Sequence, residues 1–250
     1  LCTDDFAGHW AHNANLSIKA IMAVAGFAEL AKMKGLDSGY TQYMQTARDM
    51  AAKWMTDADD GNHYRLAFDR PDTWSQKYNL VWDKMWGLDL FPGVATKEIN
   101  YYRNRQNTYG LPLDSREKYS KSDWIIWTAS MASNTRLFTS FSDRIWAWVN
   151  ETTDRVPLSD WYWTDSRHFR GFRARSVIGG FWMKVLMYKF AVDPDAIGSL
   201  QPDSQDSPRG RAAEPQWLDI AGRRLDGSNP GRGIRIRRNA DGSFSKVMVP

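Results

Sequence analysis

Apolar residues recur at helical spacing in stretch after stretch of this chain, and the connections alternate between short and long. The stretches run over residues 15–34, 40–57, 75–88, 96–107, 121–133, 136–150 and 176–190. In the first, Leu16, Ile18, Ile21, Met22, Val24, Ala25, Phe27, Ala28 and Leu30 form the apolar set, and Gly35 follows as a stop signal. Tyr43, Met44, Ala47, Met50, Ala51 and Trp54 repeat the pattern in the second. Short connections around Gly35 and Pro92-Gly93 make helical hairpins, while residues 58–74, 108–121 and 151–175 form long loops rich in aromatic and polar side chains. Hairpins stacked with all their rich loops at one end describe an all-α fold, an α/α toroid whose loop end carries the site. Too few hairpins are present to close such a ring. The toroid is therefore expected to be incomplete, and the chain is read as a fragment lacking its N-terminal part.

Past residue 191 the character changes. Residues 192–215 are rich in Pro, Asp, Ser and Gly and read as a linker. In residues 216–250, Ile234 and Ile236 alternate with Arg235 and Arg237, and Asp241-Gly242 precedes Phe244, Val247 and Val249, which is the pattern of a short β-hairpin tail. Its arginines are read as the solvated side of an edge strand. With a net charge of +4 and no dense basic run among aromatics in the main body, nucleic acid is not an expected partner. One cysteine, Cys2, excludes an internal disulfide framework and a Cys-based zinc site. No window of 18 residues reads as apolar throughout, so no membrane span is expected.

The densest chemistry lies in residues 69–83, Asp-Arg-Pro-Asp-Thr-Trp-Ser-Gln-Lys-Tyr-Asn-Leu-Val-Trp-Asp. A core segment would avoid Ser75, Gln76, Lys77, Tyr78 and Asn79 in a row, and a surface segment would not carry Trp74 and Trp82. Together they suggest a polar cleft walled by aromatics, suited to a small polar substrate. Hydrolysis of an amide or a glycoside needs a group that protonates the leaving atom and one that supplies the attack. Asp83, Asp5 and Asp4 are the candidate catalytic residues. Asp69, Asp72, Asp114, Asp123 and Asp160 are further carboxylates beside aromatics or turns, with Asp123 before Trp124 read as a helix N-cap. Adjacent Asp4 and Asp5 do not face each other, so at most one points into a site, and Asn15 reads as the N-cap of the first helix. Arg175 beside a helix-opening Ser176 suits a bidentate grip on a carboxylate. His9 and His12 stand at i, i+3, but no further ligand pattern completes a metal site. No phosphate loop precedes a strand, so neither a metal nor a nucleotide cofactor is expected.

These motifs resemble the glutaminase A family of fungi and Bacteroides-type bacteria. The resemblance rests on Leu-Cys-Thr-Asp-Asp-Phe-Ala-Gly-His at 1–9, Asn-Leu-Ser-Ile-Lys-Ala-Ile at 15–21, Thr-Trp-Ser-Gln-Lys-Tyr-Asn-Leu-Val-Trp-Asp at 73–83, Tyr-Gly-Leu-Pro-Leu-Asp at 109–114 and Gly-Phe-Arg-Ala-Arg-Ser-Val-Ile-Gly-Gly at 171–180. It covers about residues 1–190. The family's main domain is similar to six-hairpin glycosidases. The resemblance implies hydrolysis of L-glutamine to L-glutamate and ammonia by a secreted or periplasmic protein, and a β-rich N-terminal domain on the same polypeptide. In that frame Asp83 or Asp5 is the acid–base group, Arg175 grips the substrate's α-carboxylate, and Asp4 or Asp160 its α-ammonium. Trp74, Trp82 and Tyr78 wall the pocket, with Gln76, Lys77, Asn79 and Asp114 contributing polar contacts. A glycoside hydrolase on the same scaffold, or a non-catalytic carbohydrate-binding module, is the alternative. The loop at 161–166 departs from the family pattern after Asp160.

Overall fold

The computed structural model describes residues 7–192, 216–218, 225, 233–238 and 244–249; Asp4, Asp5, most of the linker and the Asp241-Gly242 turn lie outside them. Two units separate at the boundary between Val192 and Asp193.

The first unit is helical with one small sheet. Helix α1 (Ala14–Met33) starts at Asn13, whose extended backbone and side-chain oxygen cap the Leu16 N–H at 3.0 Å. Asn15, read from sequence as the cap, lies one residue inside the helix instead. Gly35 follows α1 with φ 70°, a left-handed conformation that glycine adopts without steric cost. Helix α2 (Asp37–Asp57) folds back on α1, and Ile18, Ile21, Ala25 and Ala28 meet Met44, Ala47, Ala51 and Trp54 in the core. The Trp54 indole also donates to the Ala14 carbonyl at 2.8 Å, pinning the start of one helix to the end of the other. Alpha-1 is long and apolar enough to cross a membrane by length and composition alone, although Lys19, Glu29 and Lys32 interrupt it. Here it is one arm of a packed hairpin.

Helices α3 (Leu80–Trp86) and α4 (Val94–Tyr102) are shorter than their apolar spacing predicts. The shortfall in α3 has a physical cause: residues 74–76 are extended. Gln76 N–H donates to Leu113 O at 2.8 Å and Ser115 N–H to Trp74 O at 2.9 Å, so a distant segment takes up the backbone that a helix would use. Strand β1 (Tyr119–Lys121) runs directly into α5 (Ser122–Ser130), and α6 (Thr135–Glu151) folds back on α5. Strands β2 (Ser159–Trp163) and β3 (Phe169–Arg173) join β1 in an antiparallel sheet of order β1-β2-β3. The loop expected at 151–175 thus contains two strands. A 3-10 turn, Ser176–Trp182, then leads into α7 (Met183–Val192), so the last predicted helix starts seven residues late.

In the second unit, β4 (Gln216–Leu218), β5 (Gly233–Arg238) and β6 (Phe244–Val249) form an antiparallel sheet in that order.

Candidate functional site

Extended residues 74–76 and the facing segment 113–115 bring Ser75 opposite Asp114. A small cleft opens beside them, lined by Asn13, Asn15, Ser75, Gln76, Tyr78, Asp114, Arg116 and Trp124. Arg116 grips Asp114 through Nε at 3.1 Å and Nη2 at 2.7 Å, a charge-assisted fork at one end of the cleft. Its Nη1 donates to the Gly8 carbonyl at 3.0 Å. Tyr78 and Trp124 stack nearly parallel, with centroids 4.2 Å apart.

The same Trp124 ring lies under the Lys121 ammonium, 5.3 Å from its centroid, and leads to a second charged group. Lys121 ends β1, Asp160 stands on β2, and the strand pairing brings the ammonium into contact with Asp160 Oδ2. Asp123 Oδ1 faces the ammonium at 3.8 Å, and Arg175 Nη1 stands 3.7 Å from Asp160 Oδ2. Lys121, Asp123 and Asp160 are all buried, whereas Arg175 keeps 37% of its side chain exposed. Burial pushes the Asp123 carboxyl up to about 6; the Lys121 charge opposes the shift and Asp160 adds to it. Asp123 is not the N-cap that the sequence suggested. Lys121 takes that position, with extended backbone, and Asp123 sits within the first helical turn.

The other sequence candidates divide by what their polar atoms already do. Asp83 accepts Leu90 N–H at 2.9 Å on one oxygen and Phe91 N–H at 3.2 Å on the other, so it holds the turn after α3. Gln76 is fully buried and donates to Leu111 O, Pro112 O and Ser120 Oγ while accepting from Thr128 Oγ1. Lys77 is equally buried and donates to Tyr64 O and Ser75 O, with Glu98 Oε2 at 3.7 Å. Asn79 donates from its side chain to Asn15 O at 3.1 Å and from its backbone to Asn15 Oδ1 at 3.3 Å. Trp74 packs against Tyr101 and Tyr102, and Trp82 packs edge-on against Trp127. His12 pairs with Asp69 at the surface, and no cluster of three metal-ligating side chains occurs among the described residues. The structure therefore brings together Tyr78, Asp114, Asp160 and Arg175. It adds Arg116, Lys121, Asp123 and Trp124, which the sequence reading did not place in a site.

A small polar cleft thus stands next to a buried lysine–carboxylate cluster, set on helices and a three-stranded sheet. The comparisons with known proteins give the family. Residues 1–185 match the model of the glutaminase A six helical-hairpin domain, and the chain belongs to that family. Glutaminase A of Aspergillus oryzae is 32% identical over 195 residues, covering 75% of this chain and 28% of the relative. A probable glutaminase of Arthroderma benhamiae is 29% identical over 225 residues, covering 76% of this chain and 26% of the relative. The chain thus spans little more than a quarter of the length of the curated relatives it matches.

Proposed function

We propose that this chain supplies the substrate site of an enzyme that hydrolyses L-glutamine to L-glutamate and ammonia outside the cytoplasm. Its helical hairpins would belong to an α/α toroid completed by further hairpins of the same polypeptide, which also carries a β-rich domain. The relatives' names and the motif resemblance support the substrate. The observation that carries the reading is the distribution of charge around the Tyr78–Trp124 stack. Asp114 and Arg116 line the cleft beside Tyr78, and behind Trp124 lies the Lys121 ammonium, paired with Asp160, which Arg175 also approaches. An α-amino acid presents both signs of charge, and a small cleft with paired Asp and Arg suits it better than a sugar, which favours an extended aromatic groove. In this reading, half-exposed Arg175 grips the α-carboxylate.

The test is ammonia release from L-glutamine by the polypeptide that carries this chain, with an Arg175→Met control. Release whose KM rises about 10-fold or more in the control is the expected result, the loss of one charge-assisted contact. No release from a folded protein that instead cleaves members of a glycan panel would replace glutamine with a sugar.

A further inference from the structure

Buried polar side-chain atoms are nearly always hydrogen-bonded, so a cluster of exceptions calls for a reason. Four of them belong to the corner formed by α5 and the strand beside it. Ser122 Oγ, Asp123 Oδ1, Trp127 Nε1 and Asp160 Oδ1 are all buried without a hydrogen-bond partner. Asp123 and Trp127 are four residues apart on one face of α5, and Asp160 reaches the corner through their shared neighbour Lys121. Two of the atoms are donors and two belong to carboxylates. That set matches a primary amide and an attacking water, which bring a carbonyl acceptor and N–H and O–H donors.

The cover over this corner is thin. A methyl group on Gly180 would stand 2.8 Å from Trp127 Nε1 and 2.9 Å from Asp123 Cβ, so only a glycine closes the 3-10 turn onto the two side chains. Gly179 beside it meets nothing within 4 Å, and none of the turn's own residues is buried. The turn has no fully buried residue and is held chiefly by Phe181 and Gly180, so its displacement gives a substrate a way in.

We infer that Asp123 is the proton-transferring carboxyl of this enzyme, and that the open hydrogen-bonding capacity around it receives the substrate's side-chain amide. The inference rests on the glutaminase reading above and names the reacting group within it. The step balances with one carboxylate. Asp123 takes a proton from water as the hydroxide oxygen bonds to the amide carbon. It then returns that proton to the amide nitrogen as the carbon–nitrogen bond breaks and the electron pair leaves with ammonia. Trp127 N–H, four residues from Asp123 on the same helical face, is the donor available to the carbonyl oxygen as it gains charge. A carboxyl titrating near 6 is suited to both halves of such a transfer at neutral pH. Lys121 from β1, Asp160 from β2 and Arg175 ahead of the 3-10 turn are the charged groups arranged around it, and Lys121 keeps Asp160 ion-paired throughout.

The test uses Asp123→Asn in the polypeptide that carries this chain, reading kcat/KM for ammonia release against pH and the affinity for L-glutamate by calorimetry. Expected are an acidic limb near pH 6 in the native enzyme, a loss of about 100-fold or more in the variant, and glutamate affinity kept within about threefold. A native enzyme that releases ammonia while the variant keeps its rate within about threefold, with the limb intact, overturns the role of Asp123 and leaves the glutaminase reading standing. A native enzyme that releases none overturns the glutaminase reading and this inference with it. If the variant fails to fold, carboxyl-carbon NMR of native Asp123 decides: its titration midpoint moves when L-glutamate binds, and an unmoved midpoint overturns the role.

Discussion

Lys77 and Lys121 are both sealed from water and both face carboxylates, yet their surroundings are completed to different degrees. Around Lys77 every polar atom has work. Its ammonium donates to Tyr64 O, Ser75 O and Ser75 Oγ, while Glu98 Oε1 accepts Tyr64 N–H and Glu98 Oε2 meets the Tyr102 hydroxyl. Burial pushes the lysine down and the glutamate up, and each is opposed by the other's charge. The result ties residues 64, 75, 77, 98 and 102 into one rigid knot. Around Lys121, two carboxylates approach a single ammonium, and oxygens on both remain open. The first cluster is architecture; the second keeps costly unmade hydrogen bonds of the kind a substrate can complete.

The contrast is broken most directly at Lys77. Lys77→Met leaves Glu98 buried without its counter-charge and should cost about 3–5 kcal/mol in urea unfolding. A loss below about 1 kcal/mol would show that the knot is no more structural than the open cluster. Asp123→Asn should move stability the other way. With its carboxyl raised from 3.8 to about 6, the folded protein holds this proton more tightly than the unfolded chain does. The stability from this group is therefore fully present below about pH 4 and lost as pH rises through about 6, roughly 3 kcal/mol in all. Unfolding measured across that window should fall with pH in the native protein and flatten in the variant. Asp83→Ala should behave like a lesion in the closed class, freeing two buried amides at about 1–3 kcal/mol each in thermal unfolding. Gly180→Ala should cost about 1–3 kcal/mol by crowding Asp123 and Trp127. Gly179→Ala, with open space around it, should stay within about 0.5 kcal/mol.

Much of the helical framework was legible from spacing, because Ile18, Ile21, Ala25, Met44, Ala47 and Ala51 repeat on one face and are buried together. Spacing alone overreached where apolar residues do not face the core: Phe27 is 54% exposed and Leu30 60%. It also extended α3 back to Ser75, because the pairing of Ser75 with Asp114 is non-local and leaves no periodic trace. The site was half visible. Asp160 and Arg175 stood out as charged residues in an aromatic stretch, and the structure places them 3.7 Å apart. Asp123 was hidden because a carboxylate at the start of a helix has an ordinary explanation as a cap. What sets it apart is burial beside Lys121 and Asp160, and that depends on the β1–β2 register rather than on any local motif. The one local signal was the Asp123–Trp127 spacing, a carboxylate and an indole N–H on the same helical face.

Helix length differs sharply along the chain. Alpha-1, α2 and α6 have 20, 21 and 17 residues, whereas α3 and α5 have 7 and 9. Helices below about 12–15 residues are marginal in isolation, so the short ones form only as their neighbours arrive. In refolding, the α1–α2 hairpin is thus able to assemble from local contacts, while the start of α5 must wait for β2 to deliver Asp160 from nearly forty residues downstream.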